Sequence, residues 1–198
     1  MSGPRHWSVG SALRDSCLRT LRDWQAPAPE QDHLRRGYLD HLANSPDGWS
    51  RRCPGAHLTA SSLICVPRAK AVLLTLHARL GRWLQTGGHL EPGDQTLQAA
   101  SLREAAEESG LDGLTIDRDP LLLSRHEVLC NGGRTFHLDV QFLVISQECT
   151  EPAFGHESLN VQWFGRHQLP GVDDSVTSLV AAAAHRLGWD SQLESSIV

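Results

Sequence analysis

Lysine is almost missing from this chain: Lys70 stands alone among 18 basic residues, against 23 acidic ones and a net charge of −5. That balance leaves no basic stripe from which a nucleic-acid backbone could release counterions, so no nucleic-acid polymer is expected as a partner. The dominance of arginine reads first as genomic composition. Cys-x-x-Cys is absent too. The five cysteines, at 17, 53, 65, 130 and 149, form an odd, scattered set that suits neither a disulfide framework nor a thiolate zinc site and fits a reducing compartment. His-Glu-x-x-His does not occur among the 11 histidines, which removes a zinc peptidase. No apolar run approaches the roughly 18 residues of a membrane span, and the opening MSGPRHWSVG has no apolar signal core. A cytoplasmic protein with no membrane partner is expected.

What is present is globular. At 198 residues, 40% hydrophobic and 21% charged, the chain can bury one ordinary domain with an appendage. Residues 8–24 carry Val9, Leu13, Cys17, Leu18, Leu21 and Trp24 at helical spacing, and 30–43 carry Leu34, Tyr38, Leu39 and Leu42. Ala-Pro-Ala-Pro at 26–29 separates the two, and Asn44–Gly48 closes the second with turn chemistry. Residues 1–50 therefore read as a helical extension, and 51–198 as the main domain. Runs at 57–66 and 71–76 around Pro67 predict a hairpin, with a third strand near 82–86. A helix is expected from about Thr96 to Ser109, stopped by Gly110. Strands follow at 121–129, 135–146 and 160–164, then an Ala-rich helix at 175–187. The economical architecture is α/β (α+β): a mixed sheet with a helix on either face.

The chemistry concentrates in residues 87–111, GGHLEPGDQTLQAASLREAAEESGL. Glu104, Glu107 and Glu108 stand at i, i+3 and i+4, so their carboxylates share a face of the helix. Ala99, Leu102 and Ala106 fall opposite and are expected to pack on the sheet. Clustered like charges disfavour a helix unless a cation sits among them, and Mg2+ or Mn2+ is the natural partner for carboxylate oxygens. Arg103 is placed to neutralise part of the cluster or to brace the preceding loop. Gly87 and Gly88 permit unusual backbone or a close approach to a ligand. Thr96 is a candidate N-cap; a capping box on Ser101 and Glu104 would instead start the helix late. His137, Asp139 and Gln141 alternate with Leu138, Val140 and Phe142, so they share one side of a strand and are candidates for the substrate cleft.

This segment resembles the Nudix box, which reads Gly, five residues, Glu, seven residues, then Arg-Glu-apolar-x-Glu-Glu-x-Gly-apolar. Gly88 and the run Arg103-Glu104-Ala105-x-Glu107-Glu108-x-Gly110-Leu111 match; Asp94 stands for the first Glu, and eight residues rather than seven separate it from Arg103. The resemblance covers about 56–187 and implies a Nudix-type α/β/α sandwich. It implies a Mg2+- or Mn2+-dependent hydrolase that cleaves the diphosphate linkage of a nucleoside diphosphate joined to another moiety X. Glu104, Glu107 and Glu108 become metal ligands, and the general base is one of them or a later acid, Glu157 with Glu151 as its rival. Gly88, His89, His137 and Asp139 are expected to meet the small-molecule diphosphate, with Gly87, Arg103 and Gly110 as structural support. The helical extension is a candidate cap on the cleft or homodimer contact. The competing class is a Nudix-like module that binds or senses a nucleotide or ADP-ribose derivative without turnover.

Overall fold

The computed structural model describes residues 9–130, 132–153 and 158–190. Two helices come first, α1 (Val9–Asp23) and α2 (Pro29–Asn44). Strands β1 (Ala56–Val66), β2 (Ala71–His77), β3 (Trp83–Leu84) and β4 (Thr86–His89) lead into helix α3 (Leu97–Ser109). Strands β5 (Thr115–Ile116), β6 (Leu122–Cys130), β7 (Gly133–Ile145) and β8 (Ser158–Gly165) precede helix α4 (Asp174–Arg186). Every helix and long strand expected from the sequence is present, with ends displaced by a residue or two.

The sheet is mixed and splayed around β1. One edge of β1 pairs antiparallel with β4 through residues 59–62 and with β2 through 64–66, while the other edge runs parallel to β7 from Ala56↔Phe136 to Cys65↔Ile145. β7 continues outward to β6 and β5, and β2 to β3 and β8. The hairpin through Pro67 is the one the sequence predicts, with Val66 opposite Ala71.

Partners across a register share a face, so the two sides of the sheet follow from β1 alone. Leu58, Ala60, Leu138 and Val140 form one face, in a core with Leu97 and Ala100 of α3 and with Leu13, Cys17, Leu21, Tyr38 and Leu42 of α1 and α2. Leu63, Cys65 and Leu143 form the opposite face and pack under Val176, Leu179, Val180 and Ala183 of α4. A helix layer on each side gives the expected sandwich.

The N-terminal helices are welded to the sheet by polar contacts as well. Trp24 Nε1 donates to the Pro120 carbonyl at 2.8 Å, and Tyr38 Oη to the Ser124 carbonyl at 2.7 Å. The Gln31 amide brackets Leu123, donating to its carbonyl and accepting from its N–H. That pairing satisfies the outer edge of β6, which would otherwise be open to another strand. Arg14 reaches the Leu42 carbonyl at 2.6 Å, a cation at the C-terminal end of α2 where the helix dipole favours one.

Because Leu21 is fully buried in this shared core, Leu21→Ala is expected to destabilise the whole chain by about 2–5 kcal/mol. Thermal unfolding should show the main transition itself moving down. A main transition left in place, with only a minor early one appearing, would mean that α1 and α2 unfold on their own.

Candidate active site

The turn from β4 into α3 is built on close approach. Gly87 has φ of 153°, and a Cβ there would lie 2.3 Å from Ser61 Oγ. Gly88 faces the other way: its Cβ would stand 2.6 Å from the Glu104 carboxylate. The missing side chain at 88 is thus the space that the Glu104 carboxylate occupies.

The following loop is closed by Asp94. Its backbone N–H donates to the Glu91 carbonyl, and its Oδ2 accepts from the Glu91 N–H at 2.7 Å. Thr96 then caps α3 by accepting from the Ala99 N–H, and Gly110 ends it at φ 65°. The helix therefore begins at Leu97, not late at a box on Ser101. Ser101 is wholly buried and donates to the Ser61 carbonyl at 3.0 Å, pinning α3 to β1.

The buried stripe of α3 runs through Leu97, Ser101, Ala105 and Ser109. Ala99 and Ala106, expected against the sheet, are exposed, and Leu102 is half-buried. Alanines carry too little apolar area to decide a helix's orientation; the burial of Leu97 and the bond from Ser101 to the Ser61 carbonyl fix the face that meets β1. As a result Glu104 and Glu108 lie along the margin of the buried stripe, with Glu107 further toward solvent. The Glu104 side chain is only 15% exposed and that of Glu107 61%.

Arg103 ties the loop to the helix. Its Nε and Nη2 meet the two oxygens of Asp94 at 3.1 and 3.0 Å, Nη2 also reaches the His89 carbonyl, and Nη1 touches Glu104 at 2.7 Å and Glu107 at 3.3 Å. Burial works against this charge, but the hydrogen bonds to Asp94 and Glu104 outweigh it and hold the guanidinium above its ordinary pKa. Asp94 takes the bidentate side of the fork, so the shorter acid and the longer loop are compatible with the brace. A single guanidinium can answer only one negative charge. The hard oxygens of Glu104, Glu107 and Glu108 therefore suit a divalent cation of the Mg2+ type.

A second polar cluster lies on the opposite face. Thr59 of β1 is opposite both His89 and Asp139, and His57 is opposite His137. Asp139 is 1% exposed and accepts from Thr59 (2.9 Å), Ser61 (2.8 Å) and Gln141 (3.1 Å). Burial pushes its carboxyl up, against the pull of those partners and of His126. Burial likewise lowers His57, His89 to about 4 and His137 to about 3, with mutual repulsion and the charge of Arg51 adding to it. The Cys53 backbone lies close enough to His57 to oppose this shift, yet among the described residues neither ring nitrogen reaches a partner in hydrogen-bond geometry.

The candidate residues thus fall into two groups. Gly88, Asp94, Arg103, Glu104 and Glu107 meet on the α3 side; His89 and His137 meet on the far side, with Asp139, two residues along β7, enclosed in the sheet by Thr59, Ser61 and Gln141. Glu157 lies outside the described residues. Glu151 is exposed, in a loop that crosses the end of α3, where the Ala153 N–H donates to the Ser109 carbonyl. Sequence reasoning missed His57, Thr59, Ser61 and Cys130 as members of the polar cluster. Alternation of His57, Thr59 and Ser61 within β1 was the available signal.

These features have counterparts among known proteins. The model of the NUDIX domain matches residues 55–183. No curated protein matches the chain. Among solved structures, an Ap4A hydrolase binary complex from C. elegans is similar at 19% identity and a TM-score of 0.52, covering 67% of this chain and 98% of that one. The NUDIX domain of Shewanella oneidensis NrtR complexed with ADP ribose gives 19% and 0.51, covering 66% and 87%. A MutT protein from Methanosarcina mazei Go1 gives 14% and 0.51, covering 68% and 94%. At these identities the structures speak to the fold. The domain model spans more than half of the residues, from just before β1 into α4, and takes in the acid-bearing helix: the chain belongs to the NUDIX family of pyrophosphohydrolases.

Proposed function

We propose that this protein hydrolyses the diphosphate linkage of a nucleoside diphosphate joined to a further moiety, with Mg2+ or Mn2+ held by Glu104, Glu107 and Glu108. The observation that carries this reading is the seating of Glu104: its carboxylate fills the place of a side chain at Gly88 while Arg103 and Asp94 fix it from the other side. Cleaving a phosphoanhydride asks a protein mainly for charge neutralisation and positioning. A divalent ion bound there supplies Lewis acidity toward phosphoryl oxygens and lowers the pKa of bound water.

The chain's own groups set the geometry. Glu108, one turn beyond Glu104, shares its side of the helix. Glu107 is the most solvent-exposed of the three, and with Glu151 and Glu157 it is a candidate to take the proton from the attacking water. Asp94 braces Arg103, and the glycine pair brings the β4 backbone close to the ligand. Asp139 acts through Thr59 and Ser61, supporting β1 beneath the site, rather than on the diphosphate itself. His89 and His137 belong to the same supporting layer.

The reading is tested by following nucleoside monophosphate formation, or phosphate freed from the products by an added phosphatase, from nucleotide sugars, ADP-ribose, dinucleoside polyphosphates and nucleoside triphosphates with Mg2+. Glu108→Gln should lower kcat by about 10²–10³-fold with the fold intact. Full hydrolysis in that variant would remove these acids from the mechanism, and tight binding of every compound without turnover would indicate a sensing module.

Gly88→Ala supplies an independent check. The backbone at 88 accepts alanine, but the new methyl must push the Glu104 carboxylate aside. An ångström of misplacement costs about 10²-fold in rate, so turnover should fall by that order while the melting temperature hardly moves. An active Gly88→Ala enzyme would show that the position of Glu104 does not matter.

A further inference from the structure

Four side chains from four strands meet on the face of the sheet turned away from α3. His57 of β1, His89 of β4, Cys130 at the end of β6 and His137 of β7 each bring a donor atom within 4.8 Å of the others. Cys130 Sγ stands 3.8 Å from His89 Nε2, and the three imidazoles pack with ring centroids 4.9–5.1 Å apart.

Among the described residues this cluster is not satisfied. His57 is 1% exposed, yet among those residues neither of its ring nitrogens has a partner in hydrogen-bond geometry, the nearby Cys53 backbone included, and the buried Nε2 of His137 has none either. Each unmet buried polar atom keeps its full desolvation penalty, and folded proteins keep few of them. Ring stacking alone leaves those lone pairs unanswered.

We propose that His57, His89, His137 and Cys130 form a tetrahedral site for a borderline transition-metal ion of the Zn2+ class, distinct from the carboxylate site on α3. Imidazole nitrogen and thiolate sulfur select such an ion over Mg2+, which prefers oxygen. Bonds of about 2.0–2.1 Å to nitrogen and about 2.3 Å to sulfur set tetrahedral donors about 3.3–3.6 Å apart. The Cys130–His89 pair already has nearly that spacing, and the widest pair closes by side-chain adjustments on the order of 1 Å. On binding, the Cys130 S–H bond breaks, its proton leaves to solvent and a sulfur–metal bond forms, with no change of oxidation state.

The ion would join β1, β4, β6 and β7 at one point. Because the His89 carbonyl accepts from Arg103, it would also hold the base of the loop that carries Asp94. Its role is positioning.

The full chain, stripped with a chelator and titrated with Co2+ in excess Mg2+, should take up about one equivalent with the visible bands of tetrahedral cobalt and an ultraviolet thiolate charge-transfer band; Zn2+ should displace it. Cys130→Ser should lose the charge-transfer band, His137→Gln should weaken binding and change the visible bands, and Glu104→Gln should keep both spectra. In the unsubstituted chain, Zn2+ should protect Cys130 from alkylation and leave the exposed Cys149 reactive, a readout that needs no variant to fold. A cobalt spectrum without a thiolate band, a band that survives Cys130→Ser, or an unprotected Cys130 would each overturn the site.

Discussion

The fork of Arg103 is the contact on which the acid-bearing helix depends. Three glutamates on adjacent turns repel one another, and a loop of seven residues has to enter the helix at a fixed angle. One guanidinium meets both demands, spending two N–H groups on Asp94 and a third on Glu104. Asp94 is itself locked by its turn with Glu91, so the brace is preorganised on the loop side. An aspartate reaches one methylene less far than a glutamate. Across a spacing one residue longer than the family pattern, the shorter side chain still meets the guanidinium in bidentate geometry, the arrangement arginine favours. A lysine could neutralise charge at this position but could not span three acceptors with a planar fork.

Below this brace, β1 does two jobs with one alternation. Its first half places His57, Thr59 and Ser61 on the polar cluster, and its second half places Leu63 and Cys65 beneath α4, all on the same face. The other face, Leu58, Ala60 and Ile64, is apolar apart from Ser62, whose hydroxyl bonds that of Thr86, and supports α3 and the N-terminal helices. A slip of one residue would bring His57 under α3 and Leu58 onto the polar face. The buried carboxylate of Asp139, bonded to both Thr59 and Ser61 across the parallel pairing, penalises such a slip further, since a displaced carboxylate would lose its partners in a dry interior.

Much of this was legible in the sequence because it is local. The Pro67 hairpin, the Thr96 cap, the Gly110 stop and the i, i+3, i+4 acids each depend on residues a few positions apart, and all stand where pattern reading puts them. The face of α3 was misjudged at Ala99 and Ala106, since alanines at helical spacing look apolar yet carry little burial energy. His89 and His137 were legible as site candidates and the alternation of β1 was a signal for His57, but the convergence of the His57–His89–Cys130–His137 cluster was not. Its members are spread over 80 residues and converge only through the parallel register of β1 with β7 and the antiparallel register with β4. Cysteine spacing could not show it, because one strand contributes one donor. The helices before residue 50 were recognisable as helices, but their membership in the central core depends on Trp24, Gln31 and Tyr38 finding carbonyls roughly ninety positions away.

The two polar groups are divided by a single peptide. Gly88 and His89 are consecutive in β4, so one faces α3 and the other the opposite side. On the first side the donors are carboxylate oxygens beside a guanidinium; on the second they are imidazoles and a thiol beside a buried carboxylate. Hard and borderline ions would therefore sort themselves by chemistry without any gate. The carbonyl of His89 binds Arg103 while its ring belongs to the far cluster. Whatever orders that ring also orders the acceptor on which the fork of Arg103 rests, and through it the loop and the carboxylate seated against Gly88. A residue with no charge of its own at neutral pH is thus the mechanical link between the two faces.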